Sequence, residues 1–422
     1  MEIDKKLKGA WLIHHTNKLQ SVTNQSGFDN TYLSGKSGIL LSAISSNYEL
    51  KISQRRLETL AKASNINLLE LPTLIDVLQK RGLIDIVGDQ YVALGVTTHS
   101  TLQHTCDIFD SREPTSQENA AIYLAEKASL QPIMSSETLE EISDTYKLDN
   151  AEAEQLINDS VELGFVDFEQ IGKNDKILFN GNLFRRGTTA KTKNVIDSLS
   201  TDEQSKLIEV TENLRKNSCI STQEVKIILG ELLFNKVTSI GLFDVNVVSN
   251  SRESVGYVTL PSAFSKFSNG SMIDDAFDLA KAFVSSITYG MTKSSDVRGK
   301  ITMVEALLKT LIRGESIGPV AAIAEDYRIL ELKGVVKVSQ GTKNGRTGPM
   351  MTLLKKEVGE LALQSIKQGD VSEHSLIALP SAAVTKFVGP EPNREKIRKK
   401  QTEISSKATI DMLSVLRQGG AF

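Results

Sequence analysis

The chain has little with which to do covalent chemistry or to cross a membrane. Its two cysteines, Cys106 and Cys219, stand far apart in sequence and make no disulfide framework, which suits a reducing cytosol. Long apolar runs are missing. Lys5, Lys6 and Lys8 precede only Ala10–Ile13, which His14 and His15 interrupt, so neither a signal peptide nor a membrane span is read, and a cytoplasmic protein without membrane contact is expected. An excess of positive charge is missing too: 49 Lys and Arg against 52 Asp and Glu leave a net charge of −3. That argues against a uniformly basic nucleic-acid binder but leaves room for local patches. No serine, cysteine or carboxylate constellation points to catalysis, so neither an enzyme nor a cofactor is expected. His99, His104 and Cys106 are the only metal-like grouping. Their spacing fits no common zinc site and offers no fourth ligand, which favours structural roles and no metal. The His14-His15 pair reads as helix surface and edge.

What the chain does have is a motif four times over: Gly82-Leu83-Ile84-Asp85-Ile86, Gly164-Phe165-Val166-Asp167-Phe168, Gly241-Leu242-Phe243-Asp244-Val245 and Gly334-Val335-Val336-Lys337-Val338. Each is a glycine followed by apolar, apolar, charged, apolar. A second apolar run follows every time: Tyr91–Leu94, Ile177–Phe179, Tyr257–Leu260 and Met350–Leu353. The glycines recur at roughly eighty-residue intervals, too long for a solenoid and suited to a small tandem domain.

Helical patterns precede each motif. Residues 1–50 read as helices, with Trp11, Leu12, His15 and Leu19 on one face and Ile39, Leu40, Ala43 and Ile44 on another. Ser53–Ala63 gives a short helix. Asn67 with Glu70 reads as a capping box for the helix carrying Leu71, Leu74, Ile75 and Leu78, which Gly82 stops. In the second unit Ser135–Tyr146 is a helix, and Asp149 with Glu152 caps the next. Ser200 with Glu203 and Ser221 with Glu224 make two further boxes. The third unit runs through Ile227, Ile228, Leu232 and Val237 to Gly241. In the fourth, Ile301–Ile312 forms a helix. Pro319 opens another, whose apolar stripe is Val320, Ile323, Ala324, Tyr327 and Leu330.

Helix, turn, helix and hairpin in that order resemble the winged helix-turn-helix superfamily, most clearly at Leu78-Gln79-Lys80-Arg81-Gly82-Leu83-Ile84. The resemblance covers about half the chain. Tandem winged helices also resemble parts of RNA polymerase accessory subunits and of kleisin-type chromosome-organising proteins, and no motif selects either. It implies a mostly α protein with small β-hairpins (α+β), its winged-helix domains in tandem and joined by helical connectors. The expected divisions are 1–96, 97–184, 185–262, 263–355 and a C-terminal helical tail, 356–422. That tail holds Gly389-Pro390-Glu391-Pro392, the basic run Arg394–Lys400 and an amphipathic stretch, Ile404–Leu416.

In that superfamily the second helix of the turn motif usually enters the major groove while the wing touches phosphate or minor groove. The second unit carries Glu152, Glu154, Asp159 and Glu162 on that helix, and the first mixes Glu70 and Asp76 with Gln79, Lys80 and Arg81. The fourth offers Arg328, Lys333 and Lys337, then Lys343 and Arg346 in an acid-free, glycine-rich wing, Gln340–Gly348. Small residues let a backbone approach a phosphate, and the cations neutralise it. The same stretch is no P-loop: it has the wrong spacing, an arginine in the lysine position and a strand where a helix belongs. Arg185, Arg186, Lys191 and Lys193 form a second basic cluster; Arg394, Lys396, Arg398, Lys399 and Lys400 form a third, suited to nucleic acid or to an acidic partner. The expectation is a DNA-binding regulator of transcription or another DNA transaction. The alternative is a scaffold subunit of a nucleic-acid-handling complex, acting by protein contact or self-association through the acidic first two units and the C-terminal helix.

Overall fold

A computed structural model describes residues 3–20, 27–46, 51–96, 98–172, 175–249, 253–267 and 271–371. The expected features at Gly389–Pro392, Arg394–Lys400 and Ile404–Leu416 lie outside the described residues. The chain opens with α1 (Lys5–Leu19) and α2 (Asp29–Ser45). A first unit follows: β1 (Ile52–Ser53), α3 (Gln54–Ala63), α4 (Leu71–Lys80), β2 (Ile84–Val87) and β3 (Gln90–Ala93). Helices α5 (Thr98–Asp110) and α6 (Ser116–Leu130) lead to the second: β4 (Ile133–Met134), α7 (Ser135–Tyr146), α8 (Asn150–Glu162), β5 (Asp167–Ile171) and β6 (Asp175–Phe179). After α9 (Thr189–Asp197) and α10 (Thr201–Asn217) comes the third: β7 (Ile220–Ser221), α11 (Thr222–Leu229), α12 (Glu231–Ser239), β8 (Asp244–Ser249) and β9 (Ser254–Thr259). Helices α13 (Pro261–Ser265), α14 (Ser271–Thr292) and α15 (Val304–Ile312) precede the fourth, which has α16 (Ala321–Asp326), α17 (Arg328–Leu332), β10 (Val336–Lys343) and β11 (Arg346–Leu353). Helix α18 (Lys356–Gln368) closes the described chain. The protein is mostly helical, with small antiparallel sheets.

Three of the sheets share one order, with the last strand in the middle: β1-β3-β2, β4-β6-β5 and β7-β9-β8. The fourth keeps that order in reduced form, because an isolated bridge from Ile317 to Met351 stands where the short first strand would be. An isoleucine makes that first-strand pairing each time: Ile52 with Tyr91, Ile133 with Leu178, Ile220 with Val258 and Ile317 with Met351.

The four motif glycines end four helices in the same way. Gly82, Gly164, Gly241 and Gly334 have φ of 64, 76, 77 and 65°. Each N–H bonds the carbonyl three residues back, and the next N–H reaches five back, as Leu83 does to Leu78 and Val335 to Leu330. This is the Schellman arrangement, and its left-handed residue suits glycine because a Cβ there is strained. The apolar residue after three of these glycines turns inward: Leu83, Phe165 and Val335 are buried, while Leu242 is half-buried. Capping boxes form at Asp149–Glu152, Ser200–Glu203 and Ser221–Glu224.

Local rules fail elsewhere, for identifiable reasons. Asn67 and Glu70 make no capping box. Asn67 Oδ1 accepts from Leu69 N, while Glu70 is drawn to Lys36 Nζ at 2.7 Å and the Tyr32 hydroxyl at 3.2 Å. In the third unit the run through Ile227, Ile228, Leu232 and Val237 is divided at Gly230 (φ 77°, ψ 163°), the turn between α11 and α12. The break leaves Ile227 and Leu232 76% and 87% exposed. In the fourth unit α15 starts at Val304 instead of Ile301, and Pro319 lies ahead of the next helix, which starts at Ala321 and is interrupted at Tyr327. Ile323, Tyr327 and Leu330 are buried as expected, but Ala324 is exposed.

The buried apolar residues gather mainly in two clusters, one built from residues 10–178 and the other from 199–371. Phe267 belongs to the first cluster although it follows the third unit, and its ring meets Trp11 edge-on at 4.7 Å. Beside it, Lys266 Nζ lies 3.2 Å from Glu126 Oε2, which also accepts from Trp11 Nε1 at 2.8 Å. Helices α1, α2 and α5 approach closely at glycines: a Cβ on Gly9 would stand 2.1 Å from the Leu102 carbonyl oxygen.

His14 and His15 are buried instead of lying on the surface. His15 stacks on Phe165 with ring centroids 3.9 Å apart, and neither of its ring nitrogens has a hydrogen-bond partner. Burial, with a smaller push from Lys18, holds its pKa down to about 3. A depressed histidine contributes stability that is present above its unfolded pKa near 6.5 and is lost as pH falls toward the folded value. That loss is on the order of 1.4 kcal/mol per pH unit crossed. His15→Phe should therefore flatten the acid side of the stability profile between pH 6.5 and about 4 while leaving stability at pH 7 unchanged or higher. Urea titrations across that range check this; a parallel downward shift at every pH would contradict it.

Candidate nucleic-acid interface

Among the described residues the fourth hairpin is the longest of the four. Strands β10 and β11 pair over eight positions, from Val336–Leu353 to Lys343–Arg346; the other hairpins pair over four, five and six. The stretch Gln340–Gly348, expected as a glycine-rich wing, is mostly strand. Only Asn344 and Gly345 form the turn, with φ of 53 and 73°. Both angles being positive matches the type I′ geometry that suits a two-residue hairpin. Beyond Pro349, whose carbonyl accepts from Val320 N, the tip projects without a third strand.

This register places Lys343 and Arg346 directly opposite each other at the end of the ladder. Like charges facing across two strands are unfavourable. Lys343 Nζ turns aside to the Ser316 carbonyl at 3.2 Å, and both residues are exposed. Arg328, Lys333 and Lys337 are exposed as well, and none of these five cations makes an ion pair among the described residues. Lys337 lies on β10 opposite Thr352, in the same side-chain alternation as Lys343. Arg328 opens α17, which has only five residues, so the fourth unit presents one short helical turn where a longer helix was expected. Glu331, on the same helix, is held by Val338 N at 3.2 Å.

A cleft of about 580 Å³ opens beside the hairpin tip, lined in part by Lys300, Met303, Pro319, Lys343 and Arg346. Lys300 therefore joins the basic group from a different segment. Neighbouring Arg298 does not: its guanidinium is taken up by Glu325 and Asp326 at 2.9 and 2.8 Å.

The second basic cluster is divided by the fold. Arg185, Arg186 and Lys191 are exposed, with the Arg186 guanidinium 5.2 Å from the centroid of Phe168. Lys193 is buried in α9 and bridged to Asp197 at 2.6 Å and Glu137 at 3.2 Å, which removes it from the accessible cations. On α8, Glu152 closes a capping box and Asp159 accepts from Gln155, while Glu154 and Glu162 face solvent. On α4, Asp76 pairs with Lys80 at 2.7 Å. The Cys106 thiol meets Asp110 Oδ2 at 3.4 Å, and the His99 side chain lies outside the described residues.

No protein-family model matches the chain, and no curated protein matches it. Two features of the site lie outside what the motifs indicate. Asn344-Gly345 is a strong hairpin signal that fixes the tip and its opposed cations. Lys300 carried no local signal, because only the tertiary fold brings it to Lys343 and Arg346.

Proposed function

We propose that this chain is a DNA-binding protein made of four tandem winged-helix units, acting in the cytoplasm as a regulator of transcription or another DNA transaction. No catalytic role is assigned to it. The observation that carries the reading is the fourth hairpin: an extended ladder ends in two opposed cations whose mutual repulsion a phosphate would relieve. Lys300 across the cleft and the exposed Lys337 widen the positive surface. The repeated sheet order, with the short first strand beside the last, is what a winged helix requires, and it supports the same class for all four units. Arg185, Arg186 and Lys191 form a second, smaller point of contact.

A specific observation also favours protein contact by other units. Leu69, just before α4, is 85% exposed, and Leu232 at the start of α12 is similarly bare. These positions lie at the leading end of the helix that would face a groove, and apolar side chains there suit a protein surface better than phosphates. Division of labour follows: the fourth unit holds DNA, and the first and third, with the acidic second, engage protein.

The acidic second unit provides the test. Glu154→Lys with Glu162→Lys leaves the α8 cap intact and should leave affinity for a random-sequence duplex unchanged or raise it several-fold. Fluorescence anisotropy on a labelled duplex of about twenty base pairs measures it. A loss of more than about tenfold in a folded variant would place α8 on the DNA and refute the division.

A further inference from the structure

A cleft of about 350 Å³ lies between the second and third units, with Phe184, Leu207, Ile208 and Leu242 among the residues forming its apolar surface. Ile208 on α10 is 60% exposed there, with nothing in the described chain over it. Glu209 and Glu212 stand beside it on the same helix, exposed and without ion pairs among the described residues. Single exposed apolar residues are ordinary, but an apolar cleft whose rim carries Glu212 beside Lys127 and Arg215 has the makings of a docking surface.

The described chain ends at this cleft. Gly369 packs so tightly on α10 that a Cβ would stand 1.7 Å from the Arg215 carbonyl oxygen. Val371 is buried, and its N–H donates to the Ala263 carbonyl at 2.8 Å. Arg215, Leu260, Pro261 and Ser262 line the cleft. Residues 372–422 therefore set out from its rim. That segment holds Ile404, Ala408, Met412, Val415 and Leu416, spaced to fall on one side of a helix. Just ahead of them come Arg394, Lys396, Arg398, Lys399 and Lys400, opposite in charge to Glu209 and Glu212.

We propose that residues 404–416 dock in this cleft in cis, their apolar stripe covering Ile208 and Leu207 and the preceding basic run meeting the acids of α10. About thirty intervening residues span roughly 30 Å as a flexible chain, ample for a return to the rim where the segment began. Such a tether supplies an effective concentration on the order of millimolar, so even a weak apolar contact is populated. The proposal does not depend on what the fourth hairpin binds.

The test uses the full chain carrying Ile208→Cys and Met412→Cys, oxidised mildly with glutathione disulfide. An intrachain disulfide should form at least about ten times faster than in the control pair Ile227→Cys with Met412→Cys, whose first position is more exposed but lies away from the cleft. Equal rates in the two pairs would overturn the proposal. So would a disulfide found only between chains, which would give the cleft to a second copy. Hydrogen exchange supplies a second measure free of cysteine. Residues 404–416 should be protected about tenfold or more in the intact chain and lose that protection in Ile208→Asp. Protection that survives Ile208→Asp, or is absent from the intact chain, would overturn it as well.

Discussion

Replacing Lys343 and Arg346 together with alanine is expected to weaken duplex binding by on the order of ten- to a hundred-fold at about 0.1 M salt, the effect of losing two phosphate contacts. The loss should be nearly the same on unrelated sequences, because phosphates position a protein without specifying bases. Folding should be untouched: both side chains are exposed, and removing an opposed like-charge pair relieves repulsion across the ladder. Arg328→Ala discriminates further. If α17 enters a groove, the variant changes sequence preference; if Arg328 only neutralises backbone, it adds a uniform loss. Competition anisotropy with several duplexes measures both. Wild-type affinity in the double variant would remove the fourth hairpin as the DNA contact.

The largest effect on stability is expected at Glu126. Its carboxylate is 2% exposed and joins Lys266, 7% exposed, to the Trp11 indole. Glu126→Ala would leave a buried ammonium and a buried indole N–H without their partner. Breaking a buried ion pair from one side costs about 3–5 kcal/mol. Trp11 is the only tryptophan, so urea titration followed by its fluorescence reads this environment directly. The double change Glu126→Leu with Lys266→Met removes both charges and should recover most of the loss. If Glu126→Ala were within about 1 kcal/mol of wild type, the network would not be holding the third unit's trailing segment to the first cluster.

Those two sites illustrate what was legible in the chain and what was not. The Gly-apolar-apolar-charged-apolar motif is local chemistry: a left-handed glycine ends a helix and an alternating strand follows, so all four copies could be located from spacing alone. The capping boxes at Asp149, Ser200 and Ser221 are equally local. Glu70 shows the limit, because Lys36 and Tyr32 from another helix outcompete the nearby backbone for its carboxylate. Gly230 shows another. Its backbone angles make the turn between α11 and α12, and Ile227 and Leu232, read along one run, do not face a core.

The candidate interface divides along the same line. Lys343 and Arg346 were visible as cations in an acid-free stretch, but their direct opposition depends on a two-residue turn at Asn344-Gly345. Lys193 looked equivalent to Lys191, two residues away, yet the helical turn carries it inward to Asp197 and Glu137. His14 and His15 were misplaced because α1 is enclosed on both faces, which periodicity in one helix cannot reveal. Lys300 and the Lys266–Glu126 pair are long-range products of packing, with no signature in sequence.

The measurement closest to the central claim is the affinity of the intact chain for one duplex across salt concentrations from about 0.05 to 0.3 M. Five exposed cations on the fourth unit, if most meet phosphate, give a plot of log affinity against log salt with a slope of roughly −3 to −4.5. The hairpin double variant should flatten that slope by about 2. A slope near zero in the intact chain, or the same slope in both proteins, would contradict phosphate binding by this hairpin and leave protein contact as the role of the array.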